Sequence, residues 1–336
     1  MSHREIRRSL RTNLDPGARF YIGRARMRVR QVANVPALLF GGHIERPIFI
    51  VGAPRSGTHM LFLILRNSSR LEHWRPTEAH EVWEHDLHPA FRGWDSNVLD
   101  ESDADAEAVA RIRRRFFLVT GRRRRLLDKT PRNSLRIPLV DYVFPDARFI
   151  WLRRGGPDNV NSLINAWRSP RYRTYALPEP HSIPGTDPRW WKFILYPGWR
   201  KDTAGPLEVV CARQWIICNE RLLDSAANIG PERWIDVDHD ALVDDPVGRV
   251  ARLMEWLELP MEDGVRAAAA ASKHAPVNTV TAPSRGKWRR ENPREIEAIE
   301  PLILPTTERL AARPTGFSRS TTGAAENREK AAGGGS

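Results

Sequence analysis

The chain has 336 residues, 41% of them hydrophobic, with a net charge of +12 and an isoelectric point near 10.4. That length supports one large α/β domain or two small ones, and no run approaches the ~20 apolar residues a membrane span needs. The only cysteines, Cys211 and Cys218, are spaced for one helix face, suit no zinc motif and fit a reducing compartment. The positive charge is nearly all arginine and implies polyanionic ligands: nucleic acid, an anionic membrane surface or a highly charged nucleotide. No nucleic-acid fold signature accompanies the clusters Arg111–Arg115 and Arg122–Arg125, which read as solvated helix faces.

Residues 1–46 form a basic leader with helical stretches, broken at Pro16-Gly17. It lacks an apolar signal core, so the chain is expected to be cytoplasmic. The leader is expected to pack on the domain; peripheral contact with an anionic membrane is the alternative. Pro47 to Val51 then reads as a buried strand, running through a glycine-bracketed turn into an apolar helix, His59 to Leu65. A polar stretch from His73 to Asp100 precedes an acidic helix start, Asp100 to Glu107, that runs into Arg111–Arg115, an order that suits the helix dipole. Leu126 to Pro131 is a strand edge and turn, Leu135 to Phe144 a helix, and Arg148 to Leu152 a second strand. Strands separated by single helices indicate parallel crossovers.

A helix from Asn159 to Trp167 leads into a long Pro-, Trp- and Tyr-rich stretch, 169–206. Loops of that length inside a domain are usually functional or mobile. A helix over 208–227, a strand from Trp234 to Asp238 and a C-terminal helix from Pro246 to Leu257 complete the pattern. The tail 315–336 is rich in small and polar residues and is expected to be disordered.

The turn Gly52-Ala53-Pro54-Arg55-Ser56-Gly57-Thr58-His59 has the G-x-x-x-x-G spacing of a phosphate loop. Backbone amides and a helix N-terminus converge there, which makes a phosphate cradle. The Lys-Ser/Thr pair that an ATPase or GTPase needs is absent, and the cation sits inside the loop as Arg55. The strand Arg148–Leu152 ends in Arg153 and Arg154, where an NTPase usually places a magnesium-binding aspartate. Arg154 and Ser162, eight residues on, could grip a second phosphate together.

These segments resemble the sulfotransferases that use 3′-phosphoadenosine 5′-phosphosulfate (PAPS), and most of all the bacterial branch related to tyrosylprotein sulfotransferases. Pro54-Arg55-Ser56-Gly57-Thr58 matches the family's 5′-phosphosulfate loop, and Phe144-Pro145-Asp146-Ala147-Arg148-Phe149-Ile150-Trp151-Leu152-Arg153-Arg154 with Ser162 its 3′-phosphate site. Asp128-Lys129-Thr130-Pro131 matches its lysine-bearing turn. The resemblance runs from about residue 47 to 310 and implies a P-loop NTPase-like α/β domain over 47–314, a central parallel sheet flanked by helices. Gly155-Gly156-Pro157 departs from the usual D-P-R. His239-Asp240-Ala241-Leu242 departs from Y-E-D-L, a change expected to touch structure rather than the active site. His59 replaces the loop's second threonine.

The resemblance implies transfer of a sulfuryl group from PAPS to a hydroxyl without a metal, with a carbohydrate, glycolipid or other small molecule as acceptor. It assigns Arg55, Ser56, Gly57, Thr58 and His59 to the 5′ end of the donor, and Arg154 and Ser162 to its 3′-phosphate. Arg285, Gly286 and Lys287, in the turn Pro283 to Trp288, would wrap the 3′-phosphate side, although the same residues read equally as an exposed basic turn. Lys129 and Arg55 would meet the charge on the bridging oxygen and the moving group. Glu78 fits best as the base for the acceptor hydroxyl, with Glu81, His80 and His73 as rivals. The stretch 169–206 would be a lid over the acceptor site, and Trp190, Trp191, Phe193, Tyr196 and Trp199 would wall that site or equally serve as core packing for a long insertion. The competing readings are a divergent P-loop kinase, which would demand magnesium, and a non-catalytic polyanion- or membrane-binding protein.

Overall fold

The computed structural model describes residues 18–40, 42–75, 78–122, 124–273 and 284–313. The expected tail 315–336 and the start of the leader lie outside them. In chain order the first half comprises α1 (Ala18–Asn34), β1 (Ile48–Val51), α2 (Thr58–Leu65), β2 (Leu71–Glu72), α3 (His80–Trp83), α4 (Ala106–Thr120), β3 (Arg125–Lys129), α5 (Ile137–Val143) and β4 (Arg148–Arg153). There follow α6 (Gly156–Arg168), β5 (Tyr175–Ala176), β6 (Trp190–Trp191), α7 (Leu207–Asn228), β7 (Trp234–Asp238), α8 (His239–Asp244), α9 (Pro246–Trp256), α10 (Asp263–Ser272), α11 (Trp288–Glu291) and α12 (Pro293–Ala312).

Five strands form a parallel sheet in the order β2-β3-β1-β4-β7. Alternation within the strands sorts side chains to its two faces. Phe49, Val51, Phe149, Trp151 and Trp234 join the larger core, which continues through α4, α5, α6, α7 and α12. Ile48, Ile50, Ile150, Leu152, Ile235 and Val237 join the other, under α2, α9 and α10. Buried on both faces, the strands carry the near-continuous apolar runs that a parallel sheet requires. The result is the three-layer P-loop-type architecture expected from the sequence.

The order places β1 at the switch point, with β3 on one side and β4 on the other. Ligands in such sheets bind beyond the carboxyl ends of the strands there. The loop after Val51, Lys129 at the end of β3 and Arg154 just after β4 therefore share one edge.

Three expectations need correction. The helix Pro246–Trp256 is not the last: α10, α11 and α12 follow it. Pro301 and Pro305 lie inside α12 and mask its helical pattern in the sequence, yet Ile296, Ile299, Ile303 and Leu310 bury one face of it. Nor is the stretch 169–206 an open aromatic wall. Trp191, Tyr196 and Trp199 are at most 4% exposed and sit in the larger core, Trp191 held there by the β5–β6 pair. Trp191 meets Trp167 edge to face at 5.2 Å, so these rings are packing material. Finally, the segment at His239 adjoins the phosphate loop: a Cβ on Gly57 would come within 2.7 Å of the His239 ring.

In the leader, α1 packs on α4. Met27 is buried, and the Asn34 amide donates to the Leu118 carbonyl at 2.9 Å.

Candidate active site

The loop after β1 is shaped by two glycines that no other residue could replace cheaply. Gly52 has φ +153°, and a Cβ there would lie 2.6 Å from the Leu152 carbonyl and 2.7 Å from Ser56 Oγ. Gly57 caps α2 at φ +95°. Ser134 braces the turn, its hydroxyl accepting from the Gly52 amide and donating to the Gly52 carbonyl, both at 3.0 Å. The first amides of α2 have no acceptor within the helix, as at any helix start, and so present donors to an anion. Beside them Ser56 Oγ is buried without a hydrogen-bond partner among the described residues, and Thr58 is 4% exposed. Arg55 itself adopts φ +72°, a conformation that costs a non-glycine residue and aims its side chain away from the usual course.

That aim brings the two anion sites together. Arg55 Nε donates to Ser162 Oγ at 3.4 Å and its Nη1 to the Tyr172 hydroxyl at 3.0 Å, with the guanidinium 5.1 Å from the Tyr172 ring centre. Arg154 Nη1 donates to the Arg55 carbonyl at 3.0 Å, while its Nε is buried without a partner among the described residues. Burial lowers the pKa of both arginines; Tyr172 opposes this at Arg55, and Asp158 and Asp240 at Arg154. Both sites therefore hold cations, with unsatisfied buried donors beside them, and a bound anion would satisfy those donors. Gly156 lets Trp215 close on the start of α6, where the Trp215 indole donates to the Arg154 carbonyl at 3.2 Å. Arg153 takes no part: it is tied to Asp236 at 3.1 Å and to carbonyls at the end of α12.

Across the loop, the end of β3 meets the segment after β2. Lys129, 5% exposed, pairs with Glu78 Oε1, and His80 Nε2 lies 2.8 Å from Glu78 Oε2. The other ring nitrogen of His80 faces Thr130 Oγ1 at 3.5 Å. Burial alone would push the Glu78 carboxyl up, but Lys129 and His80 together hold it well below the usual carboxylate range. Phe62 links the halves: it stands 6.0 Å from Lys129 Nζ, stacks with His59 at 6.3 Å and meets His73 edge-on at 5.0 Å. Burial, then Lys129, lowers the His59 pKa to about 4, so this ring is neutral at physiological pH. Beneath lies a buried ion pair, Arg132 with Glu84, and Arg136 stands 3.8 Å from the same carboxylate. Asp128, raised by burial, accepts from the Trp83 indole and the Asn133 amide at 2.9 Å each.

The other expected residues are placed differently. His73 is buried, its Nδ1 spent on the Trp74 carbonyl at 2.8 Å, and burial lowers its pKa to about 4. Glu81 accepts from the Trp74 indole at 3.1 Å and faces Arg24 at 3.5 Å. Of the rivals to Glu78, only His80 joins the Glu78–Lys129 pair. Gly286 is tied to the start of α6 through its amide, which donates to Asp158 at 3.0 Å. Arg285, 61% exposed, is drawn to Asp240 at 3.2 Å and Asp244 at 2.5 Å. Lys287 pairs with Glu291 at 3.3 Å. Sequence reasoning missed Tyr172, Thr130 and Asp158. Tyr172, isolated between Arg171 and Arg173, carries no motif, and only the fold brings it to Arg55.

A family model described as "Sulfotransferase family" matches residues 47–181 and 191–263, more than half of the chain. The chain belongs to the sulfotransferase family, whose members use PAPS, and is a sulfotransferase enzyme. Among solved structures it is similar to sulfotransferase STF9 from Mycobacterium avium, with a TM-score of 0.52 and 17% identity over 82% of this chain and 79% of that one. Sulfotransferase STF1 from Mycobacterium tuberculosis H37Rv matches with a TM-score of 0.48 and 18% identity over 85% and 82%. Among curated proteins no sequence matches. No helix among the described residues is long and apolar enough to cross a membrane.

Proposed function

We propose that the chain transfers the sulfuryl group of PAPS to a hydroxyl of a carbohydrate, glycolipid or other small molecule, by metal-independent in-line displacement. One observation carries this reading: the carboxyl edge of the sheet joins two cationic anion sites, at Arg55 and Arg154–Ser162, to a Glu78–Lys129 pair across the same loop.

The loop amides with Arg55, Ser56 and Thr58 would hold the phosphosulfate, with His59 as a neutral wall. Arg154 and Ser162 would hold the 3′-phosphate. Gly286 would fix that side through Asp158; Arg285 and Lys287 would have to leave their carboxylate partners to help. As the acceptor oxygen bonds to sulfur, the sulfur–oxygen bond to the 5′-phosphate breaks, and its electron pair stays on the departing 3′,5′-ADP. Arg55 and Lys129 would meet that growing charge, the effect on which such transfers chiefly rely. The acceptor's proton passes to Glu78.

Lys129 and Glu78 cannot serve both roles while paired with each other. When Lys129 turns to the bridging oxygen, Glu78 loses its nearest cation, and burial then raises its basicity. Donor binding and base activation are thereby coupled. The half-exposed Phe193, packed 5.5 Å from Tyr172, supports a sugar or aromatic acceptor face at the rim.

The test is label transfer from ³⁵S-PAPS to a panel of hydroxylated acceptors, with and without EDTA. Transfer that survives EDTA, and is lost in Glu78→Gln while 3′,5′-ADP still binds, is the expected result. Transfer of the γ-phosphate of ATP that requires magnesium would replace this reading with a kinase.

A further inference from the structure

The opposite edge of the sheet carries a second basic site, and nothing in the sulfuryl-transfer reading uses it. A cavity of about 230 Å³ is lined by Arg70, Arg122, Arg124 and Arg125, with His43 and Glu45 at its rim. Arg125 opens β3 and Lys129 closes it. At ~3.3 Å per residue the strand separates this cavity from the reacting groups by about 13 Å. The cavity therefore lies at the amino ends of the strands and is distinct from the donor loop.

Two of its arginines are fixed by the fold. Arg125 donates Nε to the Arg46 carbonyl and Nη1 to the Leu257 carbonyl, both at 2.7 Å. Its Nη2 is buried with no hydrogen-bond partner among the described residues, an expensive state for a charged donor. Arg124 Nη1 donates to Glu72 at 2.8 Å. The surroundings are over-supplied with cations: burial first, then Arg148 and Arg46, pull the Arg125 pKa down to about 10 against Glu258 and Asp146. Arg70 and Arg122 stand exposed at the mouth. Among the described residues Glu45 is the one carboxylate of the lining and is itself exposed.

We infer that this cavity binds a small dianion of the phosphate or sulfate monoester type. Two fixed guanidinium groups sit at its wall and two adaptable ones at its mouth, an arrangement that suits multidentate oxyanion recognition. Its volume lies below the ~300–1,000 Å³ of ordinary small-molecule sites, so it fits an anionic headgroup rather than a whole nucleotide. The ester has two possible sources, a soluble metabolite or a phospholipid headgroup, and the same chemistry recognises both.

The experiment titrates the full chain with inorganic phosphate while 3′,5′-ADP saturates the donor site. It compares wild type with Arg70→Ser/Arg122→Ser, and with Arg266→Ser as an exposed-charge control. The expected result is a phosphate isotherm that persists under 3′,5′-ADP. It should weaken about tenfold or more in the double variant, stay unchanged in the control, and tighten in Glu45→Gln. In a parallel arm, co-sedimentation with phosphatidic acid vesicles but not with phosphatidylcholine vesicles, lost in the double variant, would assign the headgroup as the source. Phosphate binding without sedimentation would assign a soluble ester. Phosphate binding abolished by 3′,5′-ADP, unaltered in the double variant, or absent together with sedimentation would overturn the inference. Because 3′,5′-ADP occupies the donor site independently, failure here leaves the sulfotransferase reading untouched.

Discussion

The two halves of the site are built differently. In the proposed reading the donor half is mainly backbone: a glycine-bracketed turn, a helix start and a strand end, each contained in a short continuous segment. The acceptor half of that reading is mainly side chains drawn from separate places, with Glu78 after β2, Lys129 at the end of β3 and Phe193 from the stretch after α6. A backbone cradle fixes where a phosphate goes and leaves little to vary. A side-chain wall can be re-cut without disturbing the fold, so the proposed reading puts acceptor choice in that half.

If the halves are separable, substitutions in one should leave the other's measurement intact. The largest effect is expected from Glu78→Gln, a loss of ~10²–10⁴ in turnover with 3′,5′-ADP affinity kept within a few-fold. Lost affinity would show that the base also shapes the donor site. Arg132→Met should next test the floor of the acceptor half. It strands the buried Glu84 carboxylate, which burial alone would raise and which Arg132 chiefly holds down at about 2. Breaking such a pair costs ~3–5 kcal/mol, read as a shift of the urea midpoint at neutral pH.

Acid should act more gradually. His59, His73 and His88 all have pKa values lowered to about 4, burial being the first cause in each. The unfolded chain binds protons at these positions below about pH 6.5, before the native state does. Their contribution is fully present above that pH and falls away as pH drops towards 4. Urea midpoints measured from pH 7 to 4.5 should decline, and less steeply in His73→Phe. The smallest change is expected from Tyr172→Phe, which removes one hydrogen bond from Arg55 and keeps the ring. It should alter 3′,5′-ADP affinity by about fivefold, on the order of 1 kcal/mol.

The same contrast explains what could be read from the sequence. Strands β1 and β4 and the loop between Gly52 and Gly57 were legible because apolar runs, glycine spacing and the arginine at a strand end are local signals. Strand β2, with two residues, gives no periodicity to detect. Helix α12 was hidden because two prolines interrupt a pattern that tertiary packing nevertheless sustains. The tryptophans of 169–206 misled because an aromatic-rich insertion looks the same in sequence whether its rings face a ligand or the core. Glu78 and Lys129 could be named singly, but their pairing, and the presence of His80 on the other carboxylate oxygen, depend on β2 and β3 lying side by side.

The central claim is that Arg154 and the phosphate loop together form a donor site. Calorimetric titration with 3′,5′-ADP, without added metal, on wild type and Arg154→Ala tests it most directly. The account predicts tight binding to wild type and a loss of ~2–5 kcal/mol in the variant, at least about thirtyfold in Kd. Equal affinity in the two proteins, or binding only of ATP with magnesium, would contradict it.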